Sequence, residues 1–244
     1  MTSMPFPLRS HDFHGSCGTR ITRVIMQVLA AVAAALISAA VCALLVRPVL
    51  QRLPEPGGDH DKPLYRDLPT IRFVLVCVVL AGLATAVSWL SLPHYIQPMW
   101  AVLATLGILL AAIDARTSWL PLRLTQIAWL VMAIAALMSA LLGGSLWVAA
   151  RALAGAAIAG ALYVLVWLIS RGGFGFGDVR FAPLLGAAAA AGSWTLLWLS
   201  LLLGTVVGGG AGLLRLAKGQ REAFPYAPSM LAGAYAACVL MLVT

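Results

Sequence analysis

Charge is what this sequence has least of. Asp and Glu together number 8 among 244 residues, and charged side chains make up only 10% of the chain. A soluble domain of this length carries about a quarter charged residues. With 62% hydrophobic residues and a mean hydropathy of +0.97, the apolar surface exceeds what one globular core can hold, so lipid is the expected solvent. Cysteine is equally sparse. Cys17, Cys42, Cys77 and Cys238 form no C-x-x-C pair, which removes the usual zinc modules, and the three in apolar runs read as small packing residues. Histidine occurs only at positions 11, 14, 60 and 94. The spacing of His11 and His14 would suit a metal, but such a pair in a polar tail is more often without a role, and no metal or cofactor is expected. No serine or cysteine has a local base, so nucleophilic hydrolysis lacks a candidate. The 16 basic residues form no stripe along one helix face, which argues against nucleic-acid binding and for their use in membrane orientation.

What the chain does contain is a series of apolar runs, at about 24–46, 71–92, 95–113, 124–142, 147–170, 193–214 and 226–243, each long enough to cross a bilayer. The stretch 181–214 has no formal charge and is too long for one crossing of about 20 residues. A tight hairpin at Gly192-Ser193, with a short first arm of about 179–191, returns Arg180 and Arg215 to one side. The fold class expected is therefore all-α, a polytopic transmembrane bundle of about eight helices. Residues 1–23 read as a polar tail, 24–46 as the first transmembrane helix, 47–70 as a short loop and 71–244 as the membrane-embedded domain. A cleaved signal peptide is disfavoured, since the first apolar run is longer than a signal core and no small-x-small site follows it.

The basic residues test this count. Arg47, Arg52, Lys62, Arg66, Arg72, Arg116, Arg123, Arg171, Arg180, Arg215, Lys218 and Arg221 fall at alternate connections, whereas those near 93–94, 143–146 and 192–193 have none. By the positive-inside rule the charged end faces the cytoplasm. Arg9, Arg20 and Arg23 of the tail then lie on the opposite side, which the rule does not favour.

Six of the eight acids lie in tails or loops. Asp114 and Asp178 instead close and open apolar runs, with two crossings between them, so both arrive at the same membrane boundary. Each alone has a plain structural explanation: Asp178 as a helix N-cap, Asp114 as an interfacial partner of Arg116. Together, ionisable groups beside hydrocarbon point to function. Two carboxyls held close share one proton, so the ionised member can activate water while the protonated member donates to a scissile carbonyl. The glycines of "GGFGFG" before Asp178 allow positive φ or close backbone approach, and a glycine-rich edge could pair with an extended peptide. A nucleotide loop is a weaker reading still, since no strand precedes it and no Lys-Ser/Thr follows. A second reading makes the same Asp pair the proton relay of a small polytopic transporter. It is weakened by the lack of midplane acids and of an internal repeat. A third makes the chain an inactive assembly factor. Gly204, Gly208, Gly209, Gly210 and Gly212 are expected to pack helices closely, or alternatively to form a groove.

These segments resemble the type IV prepilin peptidases, bacterial membrane aspartyl proteases with a G-x-G-D motif. "GFGFGDVRFAPLLGA" (173–187) is similar to the family's second catalytic segment, with Gly175, Gly177 and Asp178 matching and Arg180 where a Lys is common. "AAIDARTSWLPLRLT" (111–125) resembles the first, with Asp114 and the downstream Pro121 matching. "FPYAPSMLAGA" (224–234) is similar to the entrance of the last helix, with Ala227 replacing a Gly, and "QRLP" (51–54) resembles the end of the first segment. The resemblance covers about 105–235. It implies an aspartic endopeptidase of the bacterial inner membrane, with Asp114 and Asp178 catalytic and facing the cytoplasm. Gly175, Gly177, Pro121 and Arg180 would lie on the substrate side. The implied substrates are prepilins or pseudopilins, cut after a basic leader, with membrane lipid as surroundings; a homo-oligomer is compatible with it. Leu120-Pro121-Leu122 departs from the family's Ile-Pro-Asn, which bears on substrate preference. Loop 47–70 has no cysteine, so the N-methylation domain of long members, with its paired C-x-x-C motifs, is missing.

Overall fold

A computed structural model of the chain describes residues 13–54, 63–171, 175–219 and 225–243. The first twelve residues, Lys62, Gly173, Arg221 and the first residue of "FPYAPS" lie outside the described residues, as do His11, His60 and the acids at 12, 55, 59, 61 and 222.

Eight helices build the described chain: α1 (Phe13–Arg52), α2 (Ile71–Ser91), α3 (His94–Thr117), α4 (Leu122–Leu142), α5 (Trp147–Ile169), α6 (Phe176–Gly192), α7 (Trp194–Ala217) and α8 (Ala227–Val243). No strand occurs among the described residues. The all-α bundle expected from hydropathy is the one observed. Six of the helices are long and apolar enough to cross a membrane by length and composition. Helix α1 begins ahead of its apolar run; the span suited to a membrane is Val24–Arg52.

Tight turns at the uncharged end make the bundle compact there. Gln97 is buried under the α2–α3 turn, where its Nε2 donates to the Ser88 and Leu92 carbonyls at 2.8 and 3.2 Å. The Ser88 carbonyl also accepts from Leu92 N at 2.9 Å, and the bond from Gln97 gives the Leu92 carbonyl, just past the end of α2, a partner away from water. At the α6–α7 hairpin a single extended residue, Ser193, separates the two helices. Its N–H donates to the Ala189 carbonyl at 3.1 Å and its Oγ accepts from Leu196 N at 2.9 Å, so one residue ends one helix and caps the next.

Helix α6 is the centre of the molecule. Every residue from Leu184 to Ala191 is buried, including five consecutive alanines. Helix α5 crosses it at very short range. A Cβ on Gly155 would collide with the Ala190 methyl and the Gly186 carbonyl, and a Cβ on Gly186 with the Gly155 carbonyl and Ala159. Small residues four apart on both helices give this close crossing. On the other side α7 and α8 meet where a Cβ on Gly233 would strike the Gly204 backbone. Gly208 lies under the Tyr226 ring, whereas Gly209, Gly210 and Gly212 have nothing within 4 Å of a Cβ. Of the five glycines expected to pack α7, two do so.

Candidate active site

Asp114 lies near the end of α3, and local chemistry fixes where that end falls. Upstream, Leu103–Gly107 form a π-helical turn, within which the Thr105 hydroxyl donates to the Ala101 carbonyl at 2.7 Å. Such back-bonding bends helices, and the wider turn rotates everything after it by about one residue, roughly 100°. The helix then stops at Ser118, whose φ of 53° is left-handed and whose N–H donates to the Asp114 carbonyl at 2.7 Å. The Thr117 hydroxyl accepts from Trp119 N at 3.2 Å and donates to the Ile113 carbonyl at 2.9 Å. The chain is thus turned back within a few residues of the carboxyl. Pro121 is buried at the start of α4, where its carbonyl accepts from Thr125 N at 3.1 Å.

Asp178 sits in the first turn of α6, its N–H donating to the Gly175 carbonyl at 3.2 Å. Gly175 has a φ of −67°, and Gly177 lies within the helix. Neither described glycine uses a left-handed conformation; close approach is what they provide. A Cβ on Gly177 would come within 2.8 Å of Leu120 Cδ1, and one on Gly175 within 3.1 Å of Asp178 Oδ2. The α3–α4 turn therefore rests on the start of α6 because residue 177 has no side chain. Gly177→Ala is expected to keep the fold and push Leu120 and its turn away from α6. A displacement near 1 Å at a reacting group costs about 10²-fold in rate, so a kcat loss approaching that, with unchanged detergent extraction and thermal midpoint, is the measurement to make.

The two carboxyls meet under the beginning of α8. Both are buried, each at 3% exposure, and they lie within electrostatic reach of one another. Asp114 Oδ2 accepts a hydrogen bond from the Ala227 N–H at 3.3 Å. That N–H belongs to the first turn of α8, where backbone donors have no partner within the helix, and it bears on the Asp178 carboxyl as well. Asp178 Oδ1 is buried without a hydrogen-bond partner among the described residues. Tyr163 of α5, also buried, is within electrostatic reach of Asp178 and interacts with Tyr226 and Thr205. Tyr226 donates to the Gly204 carbonyl at 3.4 Å. The pair thus lies at one backbone donor, hydrogen-bonded through Asp114 Oδ2, while Asp178 Oδ1 retains an open acceptor for a proton or an incoming polar group.

Arg180 is placed differently. Two residues past Asp178, it is about 200° further around α6. Its guanidinium lies 4.7 Å from the Phe176 ring centre, and Phe176 packs edge-on against Trp167 at 5.2 Å. Its carbonyl accepts from Trp129 Nε1 at 2.9 Å. The structure thus gathers Asp114, Asp178, Gly175 and Gly177, sets Pro121 behind the Leu120 contact, and turns Arg180 toward an aromatic pair. Among the described residues no group of three His, Cys, Asp or Glu is placed to hold a metal. The Ala227 donor, Tyr163 and Tyr226 had no role in the sequence reading. Tyr226 and Ala227 lie within the "FPYAPS" stretch, while Tyr163 gave only the weak signal of a hydroxyl inside an apolar run.

Fold and site together define a polytopic membrane protein with a buried pair of carboxyls at one end of its bundle. Residues 101–213 match the family model described as the type IV leader peptidase family. That segment is therefore similar to the family its motifs resemble. No curated protein and no solved structure matches the chain.

Proposed function

We propose that this protein is an aspartic endopeptidase that removes the basic leader of type IV prepilins or pseudopilins at the cytoplasmic boundary of the bacterial inner membrane. The observation that carries the reading is the buried approach of Asp114 and Asp178 beneath the Ala227 N–H. Asp114, with its backbone donor, is the member suited to remain ionised and activate water. Asp178, with an unfilled oxygen, is the member suited to carry the proton toward the scissile carbonyl. A peptide lying against the Gly175 backbone would place its carbonyl beside that oxygen. The family-model match over 101–213 supports a leader peptidase, and the concentration of Arg and Lys at the end holding both Asp residues supports the orientation.

The test is expression of the chain with a prepilin-type precursor in cells that lack their own leader peptidase, followed by mass spectrometry of the precursor's N-terminus. Loss of the basic leader at one bond is expected. An uncut precursor, together with proton-coupled solute uptake that Asp114→Asn abolishes, would replace this reading with the transporter.

A further inference from the structure

Beside the carboxyl pair, on the lipid-facing side, runs a groove of about 870 Å³ bounded by α2, α3 and α8. One wall is a stripe on α2 formed by Phe73, Val76, Leu80, Leu83 and Val87. Their spacing of three and four residues keeps them on one helix face, and from first to last they span about 21 Å at 1.5 Å per residue. The groove thus covers most of a hydrocarbon core of about 30 Å. The floor is made of small side chains, Ala111, Ala112 and Ala115 of α3 and Ala232 of α8. A wall of ridges beside a floor of alanines is the relief into which another transmembrane helix packs.

The groove shares its α3 and α8 walls with the Asp114 side of the carboxyl pair. Ala111 precedes Asp114 by one turn and Ala115 follows it directly; Pro228 follows Ala227, the donor to Asp114. A helix lying in the groove would therefore end at the α3–α8 seam that holds the carboxyl. The mouth at that end carries Arg72 and Arg116 against a single acid, Asp67. Its net positive charge would favour a helix that begins with an acid, which the helix dipole also stabilises there.

We infer that the α2–α3–α8 groove is the docking site for the substrate's own apolar transmembrane helix, seated so that the peptide preceding it is delivered to Asp114 and Asp178. The inference rests on the proposed peptidase reading. Docking by a helix rather than by diffusion of a loose peptide also means that the membrane segment of the substrate supplies much of the binding energy, and the site at the boundary needs only to unwind and hold the bond to be cut.

The experiment uses the full chain in membranes and a precursor that the wild type cleaves. A photo-crosslinking phenylalanine derivative is placed at Leu80 or Leu83, which are exposed on the groove wall, or at Leu130 or Ile134, which are exposed on α4 away from it. Asp178→Asn is included to keep the precursor intact. Adducts with the precursor's apolar helix from Leu80 and Leu83, and few from α4, are expected. Precursor adducts distributed equally over the four positions, or adducts with phospholipid alone in the groove, overturn the inference while cleavage by the wild type stands. A second measurement avoids the bulky probe: Arg72→Ala with Arg116→Ala is expected to raise KM several-fold with little change in kcat, and an unchanged KM removes the charged mouth from recognition. Should the wild type cut no precursor, the peptidase reading fails first and the docking inference with it.

Discussion

Asp114→Asn and Asp178→Asn are each expected to reduce precursor cleavage by about 10²–10⁴-fold, the usual contribution of a positioned acid or base, while leaving the bundle intact. Asparagine has nearly the same shape as aspartate, so the packing of two side chains at 3% exposure is preserved. At position 114 the Asn oxygen can still accept from the Ala227 N–H, now at 3.3 Å from Asp114 Oδ2. What disappears is chemistry, since an amide neither takes the proton of water nor carries one for the leaving group. On the proposed mechanism the two carboxyls act as a unit, so the double variant is expected to be no slower than the worse of the two singles. Initial rates on membranes, with the product N-terminus identified by mass, measure this. A variant that keeps the wild-type rate removes its residue from the mechanism.

The helices were readable because lipid imposes a simple rule. A stretch that cannot hydrate must be helical and must be as long as the bilayer is thick. The 34-residue uncharged stretch could be broken at Gly192-Ser193 by that length argument alone, and α6 and α7 do separate at Ser193. Asp114 and Asp178 were readable for a related reason: an acid at the end of an apolar run is expensive, so its presence is informative. The remainder of the site depends on contacts between distant segments, which leave little trace in composition. Ala227 contributes only its backbone N–H, and any residue but proline has one. The π-helical turn at Leu103–Gly107 has no local signature beyond Thr105, since many threonines bond backward within ordinary helices. The glycines divide in the same way. Gly209 and Gly210 look as suited to packing as Gly155 and Gly186, and only the partner helix decides which of them a Cβ would obstruct.

That division leads to the largest expected effect on stability. Gly155→Leu should be far more damaging than Gly209→Leu, although both place the same side chain on a membrane helix. At Gly155 the first added carbon already overlaps the Ala190 methyl and the Gly186 carbonyl. Neither neighbour can rotate away, because one is a methyl on a buried helix and the other is backbone. Helices α5 and α6 must then move apart, and α6 has no free direction: Leu184 to Ala191 are buried on all sides. Overpacking of this kind costs about 3 kcal/mol or more, the upper range for inserted core volume. The displacement would also travel along α6 to Asp178 at its start, so activity and stability should fall together. Gly209 has nothing within 4 Å of an added Cβ and is exposed, so leucine there meets only lipid and adds apolar surface to a face already apolar. Thermal unfolding of the two variants in the same detergent, compared with the wild type, measures the difference. Equal midpoints would mean that α5 and α6 do not approach each other through Gly155 and Gly186, and that the placement of Asp178 rests on other contacts.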